Sequence, residues 1–152
     1  MIEPTIHRRT GVATTVGILS ALYAATFLSG ALLHLGVRIP VGFAVLAEPR
    51  ILPATIVEGL CALALAVGAF AMLELKSWAW TAAFAAHAFA LGGVLLGMAA
   101  LAVGAGPSTD LNTIYHRVIL VALAAVLALL LTPPGRAALP GTDRTSRRGR
   151  VE

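Results

Sequence analysis

Four apolar stretches, at about 11–37, 51–73, 78–103 and 111–131, take up most of the 152-residue sequence. Each has about 20 or more residues, and an α-helix rises about 1.5 Å per residue, so each is long enough to cross a hydrocarbon core of about 30 Å. Spanning strands are excluded, because no stretch alternates with period two and spanning strands must close into a barrel. Composition leads the same way. A soluble domain carries about 25% charged residues to keep its surface wet; here 12% are charged and 59% hydrophobic, with a mean hydropathy of +0.90. Lipid is then the solvent for much of the surface, and the expected fold is all-α, an integral membrane four-helix bundle.

Local signals mark where the helices stop and start. Pro53 falls in the first turn of the second stretch, where a missing N–H is harmless. Pro107 and the run Ser108-Thr109-Asp110 precede the fourth stretch, with Thr109 or Asp110 as its N-cap. Pro133-Pro134-Gly135 ends it. The expected organisation is an N-terminal segment at 1–10, a transmembrane domain at 11–132, and a basic, disordered tail at 133–152. Arg8-Arg9 ahead of an apolar run resembles the start of a signal peptide. The run exceeds the 7–15 residues of such a core, however, and no small-residue cleavage site leads into a polar region.

The formal charge of +4 and pI near 10.2 raise the question of nucleic acid. The basic residues are not spread over a folded face. Arg8, Arg9, Lys76, Arg136, Arg144, Arg147, Arg148 and Arg150 fall on one side of the four stretches, and Arg38, Arg50 and Arg117 on the other. Such asymmetry is a topology signal and argues against nucleic acid as a partner. It predicts both termini in the cytoplasm, a multi-pass location in the cell (inner) membrane, and Trp78 and Trp80 at the cytoplasmic interface. The tail can also meet anionic headgroups, at roughly 1 kcal/mol per basic residue. The single cysteine, Cys61, rules out an internal disulfide and reads as a small apolar side chain. Two small-residue stripes, Ala83, Ala86, Ala90, Gly93 and Gly97 on the third helix and Glu58, Ala62, Ala66 and Ala69 on the second, predict close helix packing.

Chemistry in such a chain rests with its few intramembrane polar residues, each costing about 2.5–3.5 kcal/mol near the bilayer centre on insertion scales. Glu58 lies about two turns into the second helix, roughly 10 Å below the outer interface. His34 ends the first helix, and His116 lies near the start of the fourth, flanked by Asn112, Tyr115 and Arg117. By depth, Glu58, His34 and His116 share one outer layer. Tyr23, Phe27, Gly30 and His34 share a helix face that supplies an aromatic wall. The candidate ligand site is therefore Glu58, His34, His116, Tyr115 and Arg117. A carboxylate with two imidazoles suits a quinone headgroup, proton exchange or a divalent metal. A bis-histidine haem needs both histidines deeper and opposed. The bland alternative is that Glu58 pairs with Arg117 or His116 and only fastens helices. His87, roughly 20 Å away along the axis, reads as a helix–helix hydrogen bond. The outer loop from Arg38 to Arg50, apolar in the middle and too short to span, is read as resting at the interface in preference to forming a lid.

On Ile56-Val57-Glu58-Gly59-Leu60, followed by Ala-Leu-Ala-Leu-Ala-Val-Gly68, the second helix resembles the DoxX-type small membrane proteins. A proline before that helix, four helices in all and the Ala79-Trp80 start of the third helix are also similar, and the resemblance spans mainly residues 40–95. It implies an accessory subunit of a membrane redox system, some members being linked to quinone-dependent oxidation of sulfur compounds. Only Glu58 and Gly59 carry over, without assigned roles. The expected function is thus a small accessory or redox-linked, quinone-associated subunit, with a membrane or redox protein partner or further copies of itself. The alternatives are a small metal or proton transporter and a structural assembly subunit. The absence of a nucleophile–base pair or metal-ligand spacing in the sequence leans against an enzyme.

Overall fold

The computed structural model describes residues 3–107 and 109–137. Its elements in order are α1 (Glu3–Leu35), β1 (Ile39–Val41), β2 (Ala44–Leu46), α2 (Leu52–Leu73), α3 (Ala79–Ala102), α4 (Asp110–Leu131) and α5 (Pro133–Ala137). Four helices are long and apolar enough to cross a membrane, over Gly11–Leu35, Leu52–Leu73, Ala79–Ala102 and Asp110–Leu131. These limits fall within two residues of those predicted. Two expectations change at the ends. Residues 3–10 continue α1 as helical backbone, and Pro133–Ala137 form a short helix where the tail was expected to begin. The rest of the expected tail, 138–152, lies outside the described residues.

Consecutive helices pack side by side, α1 on α2, α2 on α3 and α3 on α4. Phe27 and Tyr115 close the ring between α1 and α4, edge to face with centroids 6.2 Å apart. One end of the bundle carries the β1–β2 hairpin and the α3–α4 turn and is called the hairpin end. The other carries the α2–α3 turn and both termini.

Burial explains which faces meet. On α4, Asn112, His116, Ile119, Leu123, Val126 and Leu130 are buried, a 4-3-4-3-4 spacing that keeps one stripe inward. On α2 the buried stripe is Glu58, Cys61, Ala62, Leu65, Gly68, Ala69 and Met72. Ala66, expected on this stripe, is exposed instead. Steps of four overshoot a 3.6-residue turn, so the third member of a 58-62-66 ladder has already rotated away, and Leu65 holds the inward position. On α3, Ala83, Ala86 and Ala90 are buried as predicted. Backbones come close there, since a Cβ at Gly68 would lie 3.4 Å from the Ala83 Cα. Lipid tails are as apolar as leucine, so such helices are held by dispersion contacts and a few hydrogen bonds. The large apolar side chains left over, among them Leu22, Leu63, Leu96 and Val118 at 57%, 63%, 62% and 64% exposure, cover the outer surface. That surface fits a multi-pass membrane protein.

The outer loop is an antiparallel hairpin, with Ile39 opposite Leu46 and Val41 opposite Ala44. Gly42 takes a positive φ of 58° in its turn. Phe43 at the tip is fully exposed. The base behaves differently from the tip, because Ile51 N–H donates to the His34 carbonyl at 3.0 Å and stitches the loop back to the end of α1.

Candidate functional site

The site forms at the hairpin end, where α1, α2 and α4 each turn a polar side chain inward. Glu58 is 5% exposed, His34 4% and His116 8%, so all three predicted residues are buried. Glu58 Oε1 lies 4.0 Å from His34 Nε2. That is beyond a hydrogen bond, though within ion-pair range when His34 is protonated. The other carboxylate oxygen, Oε2, is buried with no hydrogen-bond partner among the described residues. It fits there because residue 30 is glycine: a Cβ on Gly30 would fall 2.5 Å from Oε2.

The imidazoles are held in a common way. His34 Nδ1 is 3.2 Å from the Pro49 carbonyl, and His116 Nδ1 is 2.8 Å from the Asn112 carbonyl one turn earlier. A carbonyl only accepts, so each Nδ1 carries its proton and donates. In the neutral ring each Nε2 is then a free lone pair, turned toward Glu58 in His34 and toward α3 in His116. Gly97 makes room for the second, because a Cβ there would lie 2.8 Å from His116 Nε2.

Two cavities flank these groups. The larger, of about 280 Å³, lies among α2, α3 and α4, with Val57, Gly93 and Gly97 in its wall and Glu58, His34, His116 and Asn112 at its polar end. Pro53, Leu96 and Ala105 also line it, and all three are exposed, so it is open to the exterior toward the hairpin end of α2 and α3. The smaller, of about 170 Å³, lies between α1 and α4, against Gly30, Leu33, Glu48 and Tyr115. Glu58, His34 and Asn112 border both cavities and form the partition between them.

Four of the five residues singled out from the sequence therefore gather at this layer: Glu58, His34, His116 and Tyr115. The Tyr115 hydroxyl is buried and, like Glu58 Oε2, without a partner among the described residues. Arg117 does not join them. It is exposed on the outside of α4, one residue and about 100° around the helix from His116, so the expected Glu58–Arg117 pair is not made. At Gly59 a Cβ would meet nothing within 4 Å, and the residue takes no part in the site. The loop expected to rest at the interface supplies site wall at its base, through Pro49 and Glu48, while its tip stands clear.

Four contributors lay outside the ligand set predicted from the sequence. Asn112 lines both cavities, and its place one turn before His116 was a usable signal. Gly30 and Gly97 admit polar groups, whereas the sequence offered Gly97 as a helix-packing residue. Glu48 accepts from the Thr109 hydroxyl, 2.8 Å from both carboxylate oxygens, across a separation of 61 residues that no local pattern reveals.

His87 sits apart, fully buried, with Nδ1–H donating to the Ala83 carbonyl at 2.8 Å and the Tyr23 ring edge-on at 6.0 Å. The hydrogen bond runs within α3, so it is not the helix-to-helix bond expected. Tyr23 is two turns from Gly30 on α1, which places His87 roughly 10 Å along the axis from Glu58, nearer than predicted. Among the described residues no three His, Cys, Asp or Glu side chains are grouped to hold a metal ion. His34 aims its Nε2 at Glu58 and His116 at Gly97, which is not the opposed pair that a haem iron requires. In comparisons with known proteins, the chain matches no family model, no curated protein and no solved structure.

Proposed function

We propose that this chain is a small inner-membrane subunit, accessory to a redox system, that binds a quinone-type ligand at the Glu58 layer. The observation that carries this reading is the lining of the larger cavity. It is apolar along most of its wall, is open to the exterior, and includes a carboxylate, two imidazoles and an amide. A ligand with an apolar tail and a ring bearing hydrogen-bonding oxygens matches that mix of groups. At about 280 Å³ the cavity lies near the low end of the roughly 300–1,000 Å³ usual for small-molecule pockets, which suits a single headgroup ring.

The orientation follows from charge. By sequence, eight basic residues precede the first span, separate the second from the third or follow the fourth, against three on the other side, so the hairpin faces outward and both termini lie in the cytoplasm. The resemblance of the second helix to DoxX-type proteins supports the same redox-linked role, with a separate protein as the electron donor.

Native mass spectrometry of the protein, extracted gently from its own membrane, tests the proposal. The expected result is a stoichiometric added mass matching a quinone, lost in Glu58→Gln and in His116→Ala. A clean apo mass, or an added polypeptide in its place, would reject the ligand reading and favour structural assembly.

A further inference from the structure

The ligand reading gives Glu48 no role, yet it ties the segment that holds His34 to the start of α4. Thr109 does two jobs at the start of α4. Its hydroxyl oxygen accepts from Asn112 N–H at 3.1 Å, capping the helix, and its O–H donates to the Glu48 carboxylate at 2.8 Å. The capped Asn112 in turn supplies the carbonyl that receives His116 Nδ1–H. On the other side, Pro49, the residue after Glu48, supplies the carbonyl that receives His34 Nδ1–H, and Ile51 N–H returns to the His34 carbonyl at 3.0 Å. One short segment, 48–51, thus fixes the His34 ring directly and is tied through Glu48 to the start of α4, whereas the His116 ring is held within α4 itself.

We propose that Glu48 is a positioning residue: its bond to Thr109 latches the base of the hairpin to α4 and so holds the His34 imidazole as the Nδ1–H tautomer with Nε2 presented to Glu58. The segment has little else to hold it. The hairpin consists of two three-residue strands with an exposed tip, and a pair of strands alone is marginal in stability. Without the latch, the Pro49 carbonyl drifts relative to α4, and His34 loses the neighbour that selects its tautomer. Groups that orient a ligating histidine commonly matter 10–100-fold in affinity at metal sites, and an effect of about tenfold is expected here. The affinity part of this proposal rests on the ligand reading above; the tautomer part does not.

The test uses the full chain in lipid nanodiscs with nitrogen-15-labelled histidine, the signals assigned through His34→Gln, His116→Gln and His87→Gln. Wild type should give Nδ1–H signatures for all three rings. Glu48→Ala, which spares the Thr109 cap, should mix the tautomers of His34 and leave His116 and His87, each held by a carbonyl one turn back in its own helix, unchanged. Thr109→Ser keeps the hydroxyl and should retain the wild-type pattern, whereas Thr109→Val should not. Titration with decylubiquinone should show binding about tenfold weaker in Glu48→Ala. An unchanged His34 signal in Glu48→Ala would overturn the latch, as would an equal disturbance of His116 and His87, which would mean general loosening. A wild-type protein that ignores decylubiquinone while its histidines respond as expected would reject the ligand reading and leave the latch standing.

Discussion

The two halves of the bundle use the same small-residue spacing for opposite ends. Toward the termini, Ala13, Val16, Ala71, Met72, Ala79, Ala83, Val126 and Leu130 form a dry cluster. Trp80 closes it by donating its indole N–H to the Leu130 carbonyl at 3.0 Å. At the hairpin end the small residues Gly30 and Gly97 meet a carboxylate and an imidazole, and cavities remain on both sides of them. Small residues therefore do not by themselves specify tight packing. What faces them decides: an alanine opposite lets the backbones close, whereas a polar ring or carboxylate opposite takes up the space and keeps the helices apart.

The dry cluster and the wall of the larger cavity should respond unequally to the loss of a leucine side chain. Leu130 is fully buried in the dry cluster, so Leu130→Ala should cost about 2–5 kcal/mol and lower the thermal midpoint in nanodiscs strongly. Leu96 lines the larger cavity and is 62% exposed, so Leu96→Ala should cost less than about 0.5 kcal/mol. Equal losses would erase the distinction between a packed cluster and an open cavity wall.

Glycine substitutions sharpen the comparison at smaller cost. A Cβ at Gly68 meets Ala83 and Ala86 at 3.4 Å, ordinary contact or a little tighter, so Gly68→Ala should be tolerated in both stability and ligand binding. A Cβ at Gly97 meets His116 Nε2 at 2.8 Å, so Gly97→Ala must push the ring aside. Decylubiquinone binding should then weaken about tenfold, about 1.4 kcal/mol, with the thermal midpoint little changed. A stability loss in Gly97→Ala without a binding loss would make Gly97 the packing residue that its GxxxG spacing suggests.

Much of this was legible in the sequence, because length and hydropathy alone determine helices that must satisfy their backbone inside lipid. The layer of Glu58, His34 and His116 was legible too, since depth along a helix is only a residue count multiplied by a rise. Azimuth was harder. Arg117 has the right depth but the wrong face, and Ala66 drops off its stripe because a ladder of fours drifts. The hairpin was hidden for a different reason: three-residue strands containing Pro40 carry no alternation to read, and they are fixed by contacts to His34 and Thr109 that lie far off in sequence.

The smallest expected difference between the two ends lies in how their helices stop. At the hairpin end, α1 and α3 finish on Gly36 and Gly104, with φ of 98° and 72°. Each is followed by paired return bonds, Gly36 N–H to Leu33 and Val37 N–H to Leu32, then Gly104 N–H to Leu101 and Ala105 N–H to Ala100. At the other end α2 makes the same motif, Leu75 N–H to Met72 and Lys76 N–H to Ala71, but places a leucine at φ 49°. A non-glycine residue there costs roughly 1–2 kcal/mol, and glycine returns part of that gain through its freer unfolded chain. Leu75→Gly should therefore stabilise the bundle by about 0.5–1 kcal/mol. Gly104 has open space around it, so Gly104→Ala isolates the conformational cost and should destabilise by about 1 kcal/mol. Thermal unfolding of the two variants in parallel reads both signs. Opposite shifts would mean that the α2–α3 turn carries strain the hairpin end avoids. A loss in both would mean that the Leu75 side chain supplies packing at that turn worth more than the backbone strain it brings.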